Sequence, residues 1–391
     1  MYICNIILNF HSDEPEKKQM KTNVMATELS NEIKSGYRDQ TMDILKGIGI
    51  ILMVIGHSGT PLWMHDMIYT FHMPLFFIAS GWFFKEKCID APWDYTKHKL
   101  KGIYVPYVKW CLVFLALHNV LYYFGITNQE YGVQKFYHLR DYLLRLFNII
   151  FLMNGHDRLI NTFWFMRALF VGSLAICIGA YALNKIFQIK KHHCILLVSI
   201  LSFVLGLVIA YYRLHIPVIP HNGYREMMAT FFVGMGFCIQ RKVDFLSKFS
   251  LLIAVIFVLF AIMHPTAMMP DMSFVDWLVL PITGLTGFLL VYKISKWLSA
   301  KDNKVNRVLT YIGHRTFYIM TFHFLMFKPA SYLKACMLGM DWHVVGYVPV
   351  IPPDGDKWYW VVYVITSIGL SLVLEKMVSR IHMPKLSVKR S

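Results

Sequence analysis

The chain has 391 residues, of which 56% are hydrophobic and 16% are aromatic, while only 16% carry a charge. A soluble domain carries about 25% charged residues, so a mean hydropathy of +0.46 with repeated apolar runs of spanning length predicts an all-α polytopic membrane protein. The net charge of +16 does not indicate a nucleic-acid partner, because cytoplasmic loops of such proteins are rich in Lys and Arg. The seven cysteines have neither CxxC nor metal-ligand spacing, so no metal site is expected.

The apolar runs predict about ten transmembrane helices. They lie at 44–63, 67–84, 103–125, 162–186, 194–212, 226–240, 249–264, 276–294, 308–327 and 358–375. A further apolar run, 142–153, is too short to span a bilayer and contains Arg145. We interpret this run as an interfacial or re-entrant helix.

The distribution of basic residues predicts the orientation of these helices. With the N-terminus inside, the segments on the inner side hold 27 of the 39 Lys and Arg residues, which places both termini in the cytoplasm. We predict a polar cytoplasmic tail over 1–37, which is a candidate for disorder, and a membrane domain over 38–378. A basic cytoplasmic tail follows over 379–391.

The segment RDQTMDILKGIGIILMVIGH, residues 38–57, places ionisable side chains in or beside an apolar helix. Lys46 and His57 are eleven residues apart, which at about 100° per residue puts them on one face, about 16 Å apart along the axis. Ionisable groups inside a membrane helix are costly and usually mark a functional pathway. A lone His is often only a satisfied hydrogen-bonding group, but the stripe shared with Lys46 favours function for His57. Asp43, three residues before Lys46, is placed to hold that lysine.

Other polar residues fall at the depth of His57 in the outer half of the membrane. Each has a structural alternative: His72 and His323 as interhelical hydrogen-bonding groups, and Arg167 as a side chain that reaches the outer interface. Ser80 beside Gly81 resembles a small-residue packing contact, which we favour over a binding role. The candidate binding residues are His72, Ser80, Trp164, Arg167 and His323.

A basic run, KHKLKGIYVPY at 97–107, precedes the third apolar helix. Lys99 and Lys101 within it are able to bind the phosphates of a nucleotide-like ligand as point charges. The alternative is the positive-inside rule alone, which the composition favours.

These motifs resemble the acyltransferase-3 family of integral-membrane O-acyltransferases, and most of all its fucose 4-O-acetylase-like branch. The resemblance covers 38–375. It rests on Arg38 with Asp43, on the spacing from Lys46 to His57, and on four further segments: FHMPLFFIASG (71–81), the basic run before Pro106, FWFMRALF (163–170) and YIGHRTFYIMTFHF (311–324).

The resemblance implies ten core spans, an acyl-CoA donor from the cytoplasm, and an acceptor hydroxyl on a glycan at the outer face. Carried onto this sequence, it makes His57 the catalytic residue, as base or as nucleophile, together with Asp43 and Lys46. Lys46, Lys99, Lys101 and Arg38 are then expected to contact the donor, acetyl-CoA. The expected partners are a cell-surface glycan or its lipid-linked precursor and membrane lipids, in a bacterial inner membrane.

A polysaccharide or lipid-linked sugar transporter without covalent chemistry is the alternative, because intramembrane His and Arg also suit proton-coupled transport. Against it, the sequence shows no inverted repeat and no paired broken helices. A third alternative is an acyltransferase of another family that uses an acyl-lipid donor. This alternative does not explain why Lys46 and His57 share one helical face.

Overall fold

A computed structural model describes residues 40–214, 216, 220–301, 303–353 and 358–380, and within them helices alternate with loops and no β-strand occurs. The α-helices of the first half are α1 (Thr41–Gly56), α2 (Leu62–Tyr69), α3 (His72–Trp82), α4 (Pro92–Lys99), α5 (Val105–Tyr123), α6 (Leu139–Leu152), α7 (Trp164–Phe187) and α8 (Lys191–Tyr212). Those of the second half are α9 (Tyr224–Gln240), α10 (Val243–Leu246), α11 (Ser250–Met263), α12 (Phe274–Ser299), α13 (Lys304–Gly313), α14 (Thr316–Met326), α15 (Lys328–Leu338) and α16 (Tyr359–Arg380).

Six helical stretches of the described chain are long and apolar enough to cross a membrane. They are Pro92–Tyr123, Arg158–Phe187, Lys191–Tyr212, Val243–Met263, Phe274–Ser299 and Tyr359–Ser379. Their exposed surfaces carry large apolar side chains such as Leu251 and Ile365, as expected of a lipid-facing surface. The prediction of an all-α polytopic membrane protein is therefore confirmed.

The remaining four predicted spans are short or interrupted. α1 has 16 residues and α9 has 17. The predicted span 67–84 is interrupted between α2 and α3, and the predicted span 308–327 is interrupted between α13 and α14. The sequence showed no paired broken helices, whereas the structure interrupts these two predicted spans. The backbone torsions give the physical reason for both interruptions. Phe71 leaves helical geometry at a φ of −142° before α3, and Arg315 does so at a φ of −114° before α14.

The predicted interfacial run 142–153 is helical, as α6. A capping box begins this helix: the backbone N–H of His138 donates to the Asp141 carboxylate. α6 buries Ile149 and exposes Leu143 and Phe147, so it is amphipathic.

Two pairs of glycines bring helices into backbone contact. A Cβ added at Gly313 of α13 would lie 1.8 Å from the carbonyl oxygen of Asp43, and one at Gly47 of α1 would lie 2.2 Å from that of Leu309. Gly81 of α3 and Gly236 of α9 meet backbone oxygens of the facing helix in the same way, at 1.8 and 2.1 Å. Small residues allow such approach between helices that gain no hydrophobic energy from each other in lipid.

The two glycine contacts organise the bundle. α9 packs against α3, α7 and α8, and α1 packs against α3, α12, α13 and α16. Two hydrophobic cores result, one around α3, α9 and α12 and the other around α5, α14 and α16. Phe76 and Phe165 pack against both cores, with ring centroids 5.9 Å apart, and mark their boundary.

We expect Gly313→Ala to destabilise the protein, because the added methyl group meets the fixed backbone of Asp43 and overpacking costs about 1–3 kcal/mol. Gly369→Ala in α16 is the matched control. Its Cβ meets open space, and Ala is favoured over Gly in a helix by up to about 1 kcal/mol. Thermal unfolding of the two variants in detergent measures the difference, and equal transition temperatures would refute the close contact of α1 with α13.

Candidate active site

A cavity of about 500 Å³ runs between the two hydrophobic cores. Lys46 lines one end of it, and Arg225 with Met268 lines the other. We call it the central cavity and refer to these limits as the Lys46 end and the Arg225 end. Most of its wall is apolar and comes from α1, α3, α7 and α14.

One face of α1 provides a continuous wall of this cavity. Lys46, Ile50, Met53 and His57 line it at spacings of four, three and four residues, which is the repeat of a single helical face. His57 lies just after the last residue of α1, and its backbone N–H still donates to Val54. The predicted stripe from Lys46 to His57 is thus present and faces open space.

The Nδ1 atom of His57 lies 2.8 Å from the hydroxyl of Tyr69, which also lines the cavity. The Nε2 atom of His57 has no hydrogen bond within the described residues, and it is not among the buried unsatisfied atoms. Nε2 is therefore the nitrogen that is open to a ligand. When Nδ1 donates to the Tyr69 oxygen, Nε2 holds a lone pair and is able to act as base or nucleophile.

Two further imidazoles stand close to His57. His72 lines the cavity, and its Nδ1 donates to the carbonyl oxygen of Ile68 at 2.8 Å. His323 does not line the cavity, but its ring centroid lies 5.6 Å from that of His57. Its Nδ1 donates to Met320 at 2.9 Å, and its buried Nε2 has no partner within the described residues. Both rings therefore present an unprotonated Nε2 when neutral.

An ion pair marks the Lys46 end. Lys46 Nζ lies 2.8 Å from the Asp43 carboxylate, whose other oxygen lies 3.5 Å from Nε2 of His314. Asp43 is almost fully buried, whereas the Lys46 side chain is 25% exposed. Asp43 thus holds Lys46, as predicted, and it does not line the cavity. Arg38, predicted to contact the donor, lies outside the described residues.

The basic run at 97–107 borders the same end. Lys99 lies over the ring of Tyr95 at 5.3 Å and Lys101 is exposed, and neither lines the cavity. The turn after Lys99, Leu100–Tyr104, is a π-helix, and its Gly102 and Ile103 do line the cavity. Single π-turns are frequent at functional sites.

A second, polar cavity of about 150 Å³ adjoins the Arg225 end. Trp164 and Arg225 line both cavities, and the guanidinium of Arg225 stacks on the Trp164 ring at 4.1 Å. Arg167 lines only the polar cavity, where its Nε forms an ion pair with Glu226 at 3.0 Å. Arg167 is therefore paired with a carboxylate whose side chain is only 13% exposed.

The structure brings most of the predicted residues together. His72, Ser80 and Trp164 line the central cavity with Lys46 and His57. Gly81, the neighbour of Ser80, makes a close packing contact with the backbone of Val233. Asp43 and His323 do not line the cavity but contact its lining residues Lys46 and His57. Arg167 lines the adjoining cavity, and Lys99 and Lys101 line neither cavity.

The sequence analysis named neither Tyr69 nor Arg225 as a candidate site residue. Tyr69 reaches His57 only because α1 ends at Gly56 and α2 turns back, so no helical spacing connects them. The Arg-Glu pair at the start of the sixth predicted span was the available signal for Arg225.

The model of the family described as "Acyltransferase domain" matches residues 39–376 of the chain. Comparisons with curated proteins and with solved structures gave no significant match. The family match covers the membrane domain from α1 to α16, and with it every cavity-lining residue described above. The chain therefore belongs to the acyltransferase-3 family and is a multi-pass membrane acyltransferase.

Proposed function

We propose that this protein is an O-acetyltransferase of a bacterial inner membrane. It transfers the acetyl group of cytoplasmic acetyl-CoA to a hydroxyl of a cell-surface glycan or of its lipid-linked precursor. The observation that carries this proposal is the central cavity, which connects a lysine at one end to a ligand-accessible imidazole along one face of α1. A long, thin donor with phosphates at one end and a thioester at the other matches this shape.

The donor binds with its phosphates at the Lys46 end. Lys46 is held by Asp43 and offers its remaining ammonium protons to phosphate oxygens. We propose Lys99 and Lys101, in the basic run that borders this end, and Arg38, which precedes α1 in the sequence, as further phosphate contacts. The pantetheine arm lies along the apolar wall of Ile50 and Met53. The axial distance of about 16 Å from Lys46 to His57 then sets the thioester beside the imidazole.

His57 Nε2 accepts the proton of the acceptor hydroxyl as that oxygen attacks the thioester carbonyl. The tetrahedral intermediate collapses, the C–S bond breaks, and the CoA sulfur takes the proton from the imidazolium. In the covalent variant, Nε2 attacks the thioester carbonyl first and expels the CoA thiolate. The acceptor hydroxyl then attacks the acyl-imidazolium, the bond from Nε2 to the acyl carbon breaks, and the hydroxyl proton passes to the thiolate. Trapping of labelled acetyl on wild type, but not on His57→Ala, separates the two routes.

Other cavity residues have supporting roles. The Tyr69 hydroxyl accepts from Nδ1 and holds the ring in the reactive tautomer. Ser80 and Trp164 in the central cavity, His72 beside His57, and Arg167 in the adjoining cavity are proposed to orient the acceptor or stabilise the oxyanion. His323 packs against the His57 ring from outside the cavity and is proposed to position it.

A transporter remains the second candidate, since the interrupted helices α1–α3 and α13–α14 meet at the polar groups, as broken helices do in transporters. The free thiol of CoA separates the candidates. Transfer releases one thiol for each acetyl group moved, and transport releases none.

Loss of the imidazole should abolish chemistry and spare donor binding. In nanodiscs, His57→Ala is expected to lower acetyl transfer by about 10²- to 10⁴-fold, because a general base contributes that much. Its dissociation constant for acetyl-CoA should stay near that of wild type. Lys46→Gln should instead weaken acetyl-CoA binding by roughly tenfold or more, since hydrogen bonds to charged groups contribute about 1.5–3 kcal/mol. Lys185→Gln, at the end of α7, is the control.

These two variants test the assignment of roles directly. Unchanged donor binding in Lys46→Gln would remove Lys46 from the donor site. A well-folded wild type that binds no acyl-CoA would favour the transporter.

Tyr69→Phe removes one hydroxyl from the site and should slow the chemical step. The lost hydrogen bond to His57 is worth about 1 kcal/mol, so kcat should fall about fivefold or more while KM for acetyl-CoA is maintained. Tyr104→Phe is the matched control, because it also loses one hydrogen bond, from its hydroxyl to Ile150 at 2.7 Å, outside the cavity. An equal effect of both variants on kcat would contradict a positioning role for Tyr69.

Gly102→Phe should close the Lys46 end of the cavity. A Cβ at Gly102 meets open space, so the variant is expected to fold, and its ring then occupies the path of the donor. Acetyl-CoA binding should fall at least tenfold, whereas Gly102→Ala should bind as wild type does. Normal binding by Gly102→Phe would show that the donor enters elsewhere.

A further inference from the structure

The polar cavity differs in chemistry from the central cavity beside it. Its wall is made of amide, imidazole and charged groups, and it opens into the central cavity through residues that the two share. The shared residues are Asn161, Trp164 and Arg225. The remaining polar side chains of its wall are Asn154, His156, Arg167, His221 and Glu226.

The charges of this cavity do not cancel within the described residues. Arg167 and Glu226 neutralise each other in an ion pair at 3.0 Å, with both side chains 13% exposed. Arg225 has no carboxylate within 4 Å among the residues described, although Glu226 and Asp271 lie in its wider surroundings. One guanidinium charge is therefore left over on the cavity wall.

Arg225 is held rigidly with its terminal nitrogens unused. Its Nε donates to the carbonyl oxygen of Met268 at 3.1 Å, and one face of the guanidinium covers Trp164. Neither terminal nitrogen has a hydrogen bond within the described residues. Two parallel N–H groups on one edge of a fixed guanidinium match the oxygens of a carboxylate or phosphate.

His156 adds hydrogen-bonding capacity without adding charge. Burial lowers the pKa of its imidazole to about 4, so the ring is neutral at pH 7. Its Nδ1 is buried without a partner in the described part of the chain, and its Nε2 lies 3.2 Å from the carbonyl oxygen of Asn161. With the amides of Asn154 and Asn161, this nitrogen suits the hydroxyls of a sugar ring.

We propose that the polar cavity is the acceptor subsite and that Arg225 selects a sugar carrying an anionic group, a carboxylate or a phosphate. This proposal rests on the proposed acyltransferase function. The anion pairs with the terminal nitrogens of Arg225 and the ring hydroxyls meet His156 and the two amides. A hydroxyl on the far side of the sugar then points through the shared opening toward the cavity that contains His57.

The experiment compares three probes that share one ring and differ at a single carbon: methyl glucoside, methyl glucuronide and methyl glucoside 6-phosphate. Their binding to the full chain in nanodiscs is measured by calorimetry in the presence of acetyl-CoA. We expect at least one anionic probe to bind tenfold or more tightly than the neutral glucoside. The carboxylate and phosphate arms show which anion is preferred.

Arg225→Gln should reduce that preference to near unity while acetyl-CoA binding is maintained. Arg158→Gln is the control, since Arg158 is an exposed arginine outside both cavities whose guanidinium donates to Gly132. A purely structural Arg225, which only anchors the loop at Met268, predicts equal weakening for all three probes and a lower unfolding temperature. That result would overturn the proposal. Three other outcomes would also overturn it: equal binding of the three probes to wild type, no binding of any probe, or an anionic preference that is maintained in Arg225→Gln.

Thiol release in the same samples separates this proposal from the proposed function. Anionic preference without CoA release from any probe leaves a sugar subsite and contradicts the transferase. CoA release without anionic preference supports the transferase and overturns the subsite.

Discussion

The constraint on which the rest of the site depends is that backbone groups at a helix end inside a bilayer have no water to satisfy them. The chain between α1 and α3 ends a helix twice, so several carbonyl oxygens need donors. Nearby side chains provide them: Ser58 donates to Ile55 at 2.7 Å, His72 to Ile68 at 2.8 Å and Thr283 of α12 to Thr70 at 3.1 Å. With these donors in place, the break is stable and His57, Tyr69 and His72 converge on one cavity.

The break also brings the Tyr69 hydroxyl, and not a carboxylate, to His57. A second charge beside a partly buried imidazole carries a large desolvation cost, whereas a tyrosine hydroxyl orients the ring without one. A neutral partner also stabilises an imidazolium less than a carboxylate does. In the reaction proposed above, a weaker hold on the imidazolium favours return of its proton to the departing thiolate. The only carboxylate on α1, Asp43, is committed to Lys46 at the other end of the helix.

Charge and polarity are graded along the cavity. The Lys46 end is basic and partly exposed, the middle is lined by side chains such as Ile50, Met53 and Phe76, and the Arg225 end adjoins hydrogen-bonding groups. This order offers polar contacts at each end of the cavity and an apolar path between them. The glycine contacts of α1 with α13 and of α3 with α9 hold the walls at that separation, because a backbone contact cannot be widened by a change of rotamer.

The sequence by itself determined the class of the protein, most of the long helices and the face of α1 that carries Lys46 and His57. These follow from composition, from runs of spanning length and from the repeat of the helix, which are all local properties. It also predicted the contact of Asp43 with Lys46, which lie one turn apart. Only the tertiary structure decided that Tyr69 contacts His57, that Arg167 pairs with Glu226 and that Arg225 joins two cavities. These depend on where helices break and on which helices meet, and the broken helices are set by backbone torsions and by long-range hydrogen bonds that no local period records.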